Sequence, residues 1–573
     1  MDRIAKRDTI IICILLTGAV LGLRWQLWIV SGIGLIGLVA TTAFTKRSCA
    51  FLATAAGFIF LYPAPQIGWI YRRGSHVGVN TTETIASLGW PLSSFSLGRG
   101  FPETPLLHFH GIILKSITSL NIRPGPEPEV LISWIIPLAY ALTTIAVVTI
   151  TARRYISSLD PQIEQPSFAL LMLPVLLWIP FYRTKTGFTR QSLAIVIFAL
   201  SVYAIYRIYY SSSFRFMLIG VIAGIAMVSS HHLTSFVLIT LLTTILSLFF
   251  FKLKIQNRSV LELFSGLRGR LASLFLAIGA LFVAWQYLFS QGGETFVSLL
   301  LGISLSAGKM ETLVTILLGG GAPEQATLPL VQRGMLIRFQ SFFSLWIYQG
   351  LLALGVLAFL YKYRQNIDSD DWSLIILLFG VMIAGLSVLS WILAIGSVER
   401  IMTFFVLVGG WLAPMGIHGL FKRTSEYKRK VTAGFVIVVA IIGLSMIPPY
   451  VMTDVQPRYD QGETDQRFPS QHYAAGMFVE KHTLDTTPII GDENIEHILI
   501  ATAGRQAINP PDPVLEGKIP KGSIGLLVNY NNQVFIGSHP SVGRYIMSPG
   551  NVRKGFMLRN QTVYTNGDAI LIT

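Results

Sequence analysis

Thirteen stretches of this chain are apolar over a length that fills, or nearly fills, a lipid bilayer. They lie near residues 9–23, 26–44, 49–70, 131–150, 166–182, 191–208, 216–230, 234–251, 271–290, 344–360, 373–395, 401–420 and 431–449. A hydrocarbon core about 30 Å thick takes about 20 helical residues to cross, and only helices or closed barrels satisfy the backbone inside it. Thirteen such runs constrain the chain to an α-helical polytopic membrane protein. The composition agrees: 13% of the residues are charged, where a soluble protein carries roughly a quarter.

The net charge of +15 does not indicate a nucleic-acid partner. Taken at alternate connections, the cations form one set: Arg3, Lys6 and Arg7; Lys46 and Arg47; Arg153 and Arg154; Arg207 and Arg215; Lys252 and Lys254 through Arg270; Lys362 and Arg364; Lys422 through Lys430. Short basic loops face the cytoplasm. That places the N-terminus in the cytoplasm, as a retained first span, and the C-terminus outside; residues 9–23 rise only about 22 Å, and with that run flat on the membrane the N-terminus falls on the other side while the rest is unchanged. Cys13 and Cys49 lie in or beside apolar runs and give no disulfide framework.

Sidedness gives meaning to SSHHLTSF at 229–236. It interrupts an apolar stretch from Phe216 to Phe251, which as one helix would be roughly 54 Å long, too long for one span. A tight turn is expected there, with His231 and His232 facing outside. On a helix, adjacent side chains would point about 100° apart. The same side receives Arg183, Lys185 and Arg190, and Arg400 beside Glu399. It also receives two long connections. One, about 71–130, carries Glu83, Glu103, His108 and His110, and its piece PLLHFHGIILKSITSL reads as an interfacial or re-entrant helix. The other, about 291–343, carries the glycines at 319–321, Arg333 and Arg338. Residues 1–449 therefore read as the transmembrane domain. From 450 to 573 the mixed charge and short strand patterns, such as SIGLLVNY and AILIT, read as a small extracytoplasmic α/β domain.

No phosphate loop of the form GxxxxGK[ST] occurs, which argues against ATP-driven transport by this chain alone. No CxxC or HExxH occurs either, so spacing names no metal site; a divalent cation is the one cofactor left open. Individually, each polar candidate also has a plain reading as a helix-end anchor or a solvated loop residue.

Taken together, the layout resembles the GT-C class of integral-membrane glycosyltransferases, in particular the archaeal and bacterial relatives of dolichyl-phosphate-mannose protein mannosyltransferases. The resemblance is carried by GRGFPETPLLHFH in the first external loop, YRTKTGFTRQS before the sixth span, SSHHLTSF, VERIMTF and the ending LRNQTVYTNGDAILIT. It implies a polyprenyl- or dolichyl-phosphate sugar as donor, a glycan or protein acceptor, and no nucleic acid. It further implies a loop carboxylate as catalytic base, by position Glu83 and then Glu103. Arg183, Lys185, Arg190, His231, His232 and Arg400 become lipid-phosphate candidates; His108, His110, Arg333 and Arg338 are acceptor or loop candidates. The class usually shows Asp in that loop, whereas this chain has none between Asp8 and Asp160. Three alternatives stay open: a flippase for lipid-linked saccharide, a polysaccharide polymerase or ligase, and a non-catalytic relative.

Overall fold

The computed structural model describes residues 3–25, 27–44, 48–61, 105–118, 136–159, 165–178, 181, 190–211, 213–259, 266–289, 335–367, 371–393, 398–421, 425–445, 470–484, 486–491, 499, 507–508, 521–528, 535–539, 543–547, 562–565 and 569–572. Among them are sixteen helices: α1 (Arg3–Arg24), α2 (Trp28–Phe44), α3 (Ser48–Phe60), α4 (Pro105–Thr118), α5 (Ile136–Leu159), α6 (Gln165–Leu176), α7 (Arg190–Ser211), α8 (Phe214–Val228), α9 (His232–Ile255), α10 (Gly266–Phe289), α11 (Met335–Ile367), α12 (Asp371–Leu393), α13 (Val398–Gly409), α14 (Leu412–Leu420), α15 (Ser425–Ser445) and α16 (Ser470–His482). Among the described residues, each of the thirteen apolar runs contains a helix, and the run at 401–420 is broken into α13 and α14 with a 47° bend. Among the described residues, three helices are long and apolar enough to cross a membrane by themselves, Gln191–Ser211, His232–Ile255 and Arg268–Trp285; the bent pair makes a fourth.

The bundle is apolar inside and out. Trp178, Trp372, Trp411, Tyr155 and Tyr348 are among its largest fully buried side chains, while Ile29, Phe214, Val381 and Ile255 stand well exposed on helix surfaces. An amphipathic soluble helix would turn a polar face outward. Apolar surface in this quantity on the outside suits lipid contact.

Several basic residues expected in loops ride on helix ends instead. Helix α5 runs past its apolar segment to Leu159 and carries Arg153 and Arg154, and α9 ends with Lys252 and Lys254 in its last turn. A cation there meets the negative end of the helix dipole, and its long stem covers apolar surface. Helix α11 likewise begins at Met335, so Arg338 stands in its first turn rather than in the expected loop. The residues FQSFF that follow it continue the helix, although the arginine had shortened the apolar window.

One end of the bundle gathers these cations on an aromatic layer. The Arg154 guanidinium lies 5.8 Å from the Tyr203 ring centroid, that of Arg207 4.5 Å from Phe216, and that of Arg268 5.6 Å from Phe249. Tyr206 and Tyr209 both meet Trp372, Tyr209 stacks on Phe249, and Tyr155 hydrogen-bonds Ser373. The C-terminal turns of α5, α7 and α9 therefore share one level with the starts of α8, α10 and α12. Aromatic rings with cations beside them are what a bundle presents to a head-group layer.

After residue 469 the described chain changes character. Helix α16 precedes seven strands, β1 (Ile489–Ile490), β2 (Ala507–Ile508), β3 (Ile524–Val528), β4 (Phe535–His539), β5 (Gly543–Met547), β6 (Thr562–Thr565) and β7 (Ala569–Ile572). Five form a mixed sheet in the order β2-β1-β3-β7-β6, parallel across β2, β1 and β3 and antiparallel onward, and β4 pairs with β5. Ala475 and Val479 of α16 pack with Ile489, Leu499, Leu526 and Leu571 in a small core of their own.

Candidate functional site

The end of the bundle opposite the arginine layer brings several of the singled-out segments together. Helices α8 and α9 both have their far ends at that layer, through Phe216 and Phe249. The turn between them, Ser229 to His231, therefore lies at the other end. It is the tight turn that the over-long apolar stretch requires. His231 caps α9: its backbone is extended at φ −164° and ψ 118°, and Nδ1 accepts from the Thr234 N–H at 3.4 Å and pairs with Thr234 Oγ1 at 2.9 Å. As a cap it escapes the helical spacing of about 100°. The His231 and His232 rings are instead 5.1 Å apart and nearly parallel, inclined by 24°. This corrects the expectation that the two imidazoles diverge. His231 is half-buried and His232 exposed.

Helix α4 is anchored to the same turn. The Leu106 N–H donates to the Ser229 carbonyl at 3.4 Å, and the Leu107 side chain is buried. One helical turn further along α4, His110 Nδ1 and the Tyr140 hydroxyl share a 2.5 Å hydrogen bond, their rings 5.7 Å apart. Tyr140 opens α5, whose other end carries Arg154. The PLLHFHG helix thus bridges the histidine turn, through Leu106, and the start of α5, through His110. His108 lies on α4 as well.

Helices α7 and α13 run side by side in the same direction. Phe198 packs edge-on against Phe404 at 5.0 Å, and Phe198, Ala199 and Val202 line one small cleft with Leu407, Val408 and Trp411. Arg190 at the start of α7 and the exposed Arg400 at the start of α13 therefore sit at the end away from the arginine layer. A buried hub fixes this level. Trp178 Nε1 donates to Thr403 Oγ1 at 2.8 Å, its ring centroid is 5.2 Å from that of Tyr348, and the Tyr348 hydroxyl donates to the Pro174 carbonyl at 2.6 Å. Glu83, Glu103, Arg183, Lys185 and Arg333 lie outside the described residues. Among the described residues no three of His, Cys, Asp and Glu gather as metal ligands.

Sequence reasoning passed over Tyr140 and the Trp178–Thr403–Tyr348 hub. Each is a lone polar atom in an apolar run, and only a folded partner reveals its use. Burial also pushes the His110 imidazole below its ordinary pKa of 6.5. Below that pH the unfolded chain takes up a proton that folded His110 resists, so stability falls with falling pH in this window. From about pH 7.5 to about pH 5.5, the thermal midpoint of the detergent-solubilised protein is expected to drop less in His110→Gln than in the wild type. Parallel curves for the two proteins would refute this.

No protein-family profile and no curated protein sequence matches the chain. Among solved structures it is similar to ArnT from Cupriavidus metallidurans bound to undecaprenyl phosphate, at 12% identity and TM-score 0.46 over 91% of this chain and 97% of that one. The apo state of the same protein gives 12% identity and TM-score 0.48 with the same coverage. An oligosaccharyltransferase from Archaeoglobus fulgidus, in complex with Zn and sulfate, gives 14% identity and TM-score 0.47 over 83% of this chain and 62% of that one.

Proposed function

We propose that the chain is an integral-membrane glycosyltransferase of about thirteen spans that moves a sugar from a polyprenyl- or dolichyl-phosphate donor to a glycan or protein acceptor. On this reading the reaction takes place on the extracytoplasmic side, where residues 450–573 form a separate domain. One observation carries it. The turn 229–231, helix α4 and the starts of α7 and α13 all lie toward the end of the bundle remote from the arginine layer. Segments far apart in sequence thereby bring imidazole and guanidinium groups to one end.

The chemistry follows from the groups gathered there. As the sugar leaves, its lipid phosphate takes on negative charge, and fixed cations at a half-dry boundary stabilise that charge. Arg190, Arg400, His231 and His232 are the cations and imidazoles at that end, with Arg183 and Lys185 in the connection before α7. Glu83, with Glu103 second, is the base that accepts the acceptor hydroxyl proton as the glycosidic bond forms. Such proton transfer contributes about 10²- to 10⁴-fold in rate. His108 and His110 on the bridging helix, with Arg333 and Arg338, stand on the acceptor side.

Purified protein in detergent should transfer label from a radiolabelled polyprenyl-phosphate sugar. Glu83→Gln should reduce that transfer at least about a hundredfold, and Glu103→Gln should do so if it fills the slot instead. Full turnover in both variants would remove the loop carboxylates from the mechanism. The 47° break between α13 and α14 is the observation that favours a flippase, since transporters bind substrate at broken helices. Translocation of labelled lipid in inverted vesicles, with no new glycosidic bond, would establish that second reading.

A further inference from the structure

We propose that the arginine end of the bundle holds the head group of an anionic phospholipid, bound between helices α5, α7 and α8 by Arg154 and Arg207. The site is distinct from the one described above and lies at the opposite end. It depends on the chain being a membrane protein and not on sugar transfer, and its assay involves no sugar.

The two guanidiniums flank an aromatic pair. Tyr203 and Phe216 meet edge to face with centroids 6.0 Å apart, Arg154 lies 5.8 Å from the first ring and Arg207 4.5 Å from the second. Tyr203 and Arg207 are four residues apart on α7 and so share a face. Each arginine comes from a different helix, and Phe216 from a third, so the cluster is a product of the fold. Arg154 is exposed and Arg207 half-buried, with Arg215 exposed beside Phe216.

The need for an anion comes from charge accounting. Helices α5, α7 and α8 contain no Asp or Glu. Among the described residues, no carboxylate pairs with Arg154 or Arg207. A guanidinium that packs on a ring uses its π face and leaves its in-plane N–H donors free for a bidentate acceptor. Water could solvate one such group cheaply. Two at the boundary of an apolar bundle, on an aromatic layer that fixes its depth, are placed where lipid phosphates lie. A phosphodiester accepts from both forks, while its acyl chains continue along the exposed apolar flank at Phe214 and Leu218.

The test uses the full chain purified in a neutral detergent. Native mass spectrometry and titration compare phosphatidylglycerol, phosphatidylcholine and inorganic phosphate. Phosphatidylglycerol should be retained in preference to phosphatidylcholine. Arg154→Gln with Arg207→Gln should weaken its binding about tenfold or more. Arg270→Gln, an exposed cation of the same basic set, should change it less than about threefold. Replacing both arginines with lysine should give an intermediate loss, because charge is kept and the fork is not. Should the double glutamine variant fail to give a monodisperse helical protein, the exposed Arg154→Gln alone is read, with about a threefold loss expected. Equal retention of the two lipids, or phosphatidylglycerol binding unchanged in the substituted protein, would overturn the proposal. So would displacement of the lipid by millimolar inorganic phosphate, which would assign the forks to a free anion.

Discussion

Trp178→Ala is expected to lower the stability of the folded bundle by about 4 kcal/mol, the middle of the range for emptying a buried aromatic site. The side chain is fully buried, donates to Thr403 and packs on Tyr348. Its removal opens a cavity and takes away the hydrogen bond to Thr403, two costs that add. Trp178→Phe keeps most of the volume and forfeits the hydrogen bond, so about 1 kcal/mol is expected there. The consequence reaches the proposed site, because Trp178 holds the end of α6 against α13 three residues from Arg400. A displacement of about 1 Å among positioned groups costs on the order of a hundredfold in rate. Residual sugar transfer in Trp178→Ala should therefore fall beyond what the loss of folded protein explains. Unfolding midpoints in detergent decide the first part, and Phe and Ala variants of equal stability would contradict it.

Gly416→Val is expected to cost at least about 3 kcal/mol and to prevent α14 from seating on α11. A Cβ at residue 416 would stand 2.2 Å from the Gly355 carbonyl oxygen and 2.3 Å from the Phe359 nitrogen, both backbone atoms that cannot swing aside. Gly355 has the mirror problem, with Ala413 at 2.6 Å. Small residues facing one another allow this near contact of two helix backbones, the usual device where lipid removes the hydrophobic incentive to associate. Gly434→Ala on α15 is the control. Nothing lies within 4 Å of its added carbon, and alanine in a helix interior gains up to about 1 kcal/mol. A folded, full-yield Gly416→Val protein would show that the two helices separate freely.

Much of the helical layout was legible in the sequence because burial of backbone polar groups in an apolar slab leaves only one local solution. The described part of each apolar run contains a helix for that reason, and the break at SSHH followed from length alone. Helix ends were less legible. Arg153 and Arg154 are helical because a charged residue can extend its stem past an apolar face, which hydropathy windows penalise. The strands β1, β3, β4 and β7 lie within apolar patterns that stand out, whereas β2, β5 and β6 are short and mixed in composition and depend on a neighbouring strand for their pairing. At the candidate site, the sequence supplied the histidine pair and the bridging segment separately. Their meeting through Leu106 and Ser229 rests on tertiary contact, as does the parallel setting of the His231 and His232 rings, which follows from His231 being a cap.

Helix α8 is 15 residues long and rises only about 22 Å, against an oily slab of roughly 30 Å. With its first turn pinned at the aromatic layer, its other tip stops several ångströms short of the far boundary, and the buried Ser230 and exposed His232 stop with it. In the membrane setting proposed above, the bilayer is expected to thin at that tip and solvent to follow it inward. On the proposed function, a long-chain carrier would present its polar head at that thinned spot while its tail stays in the oil.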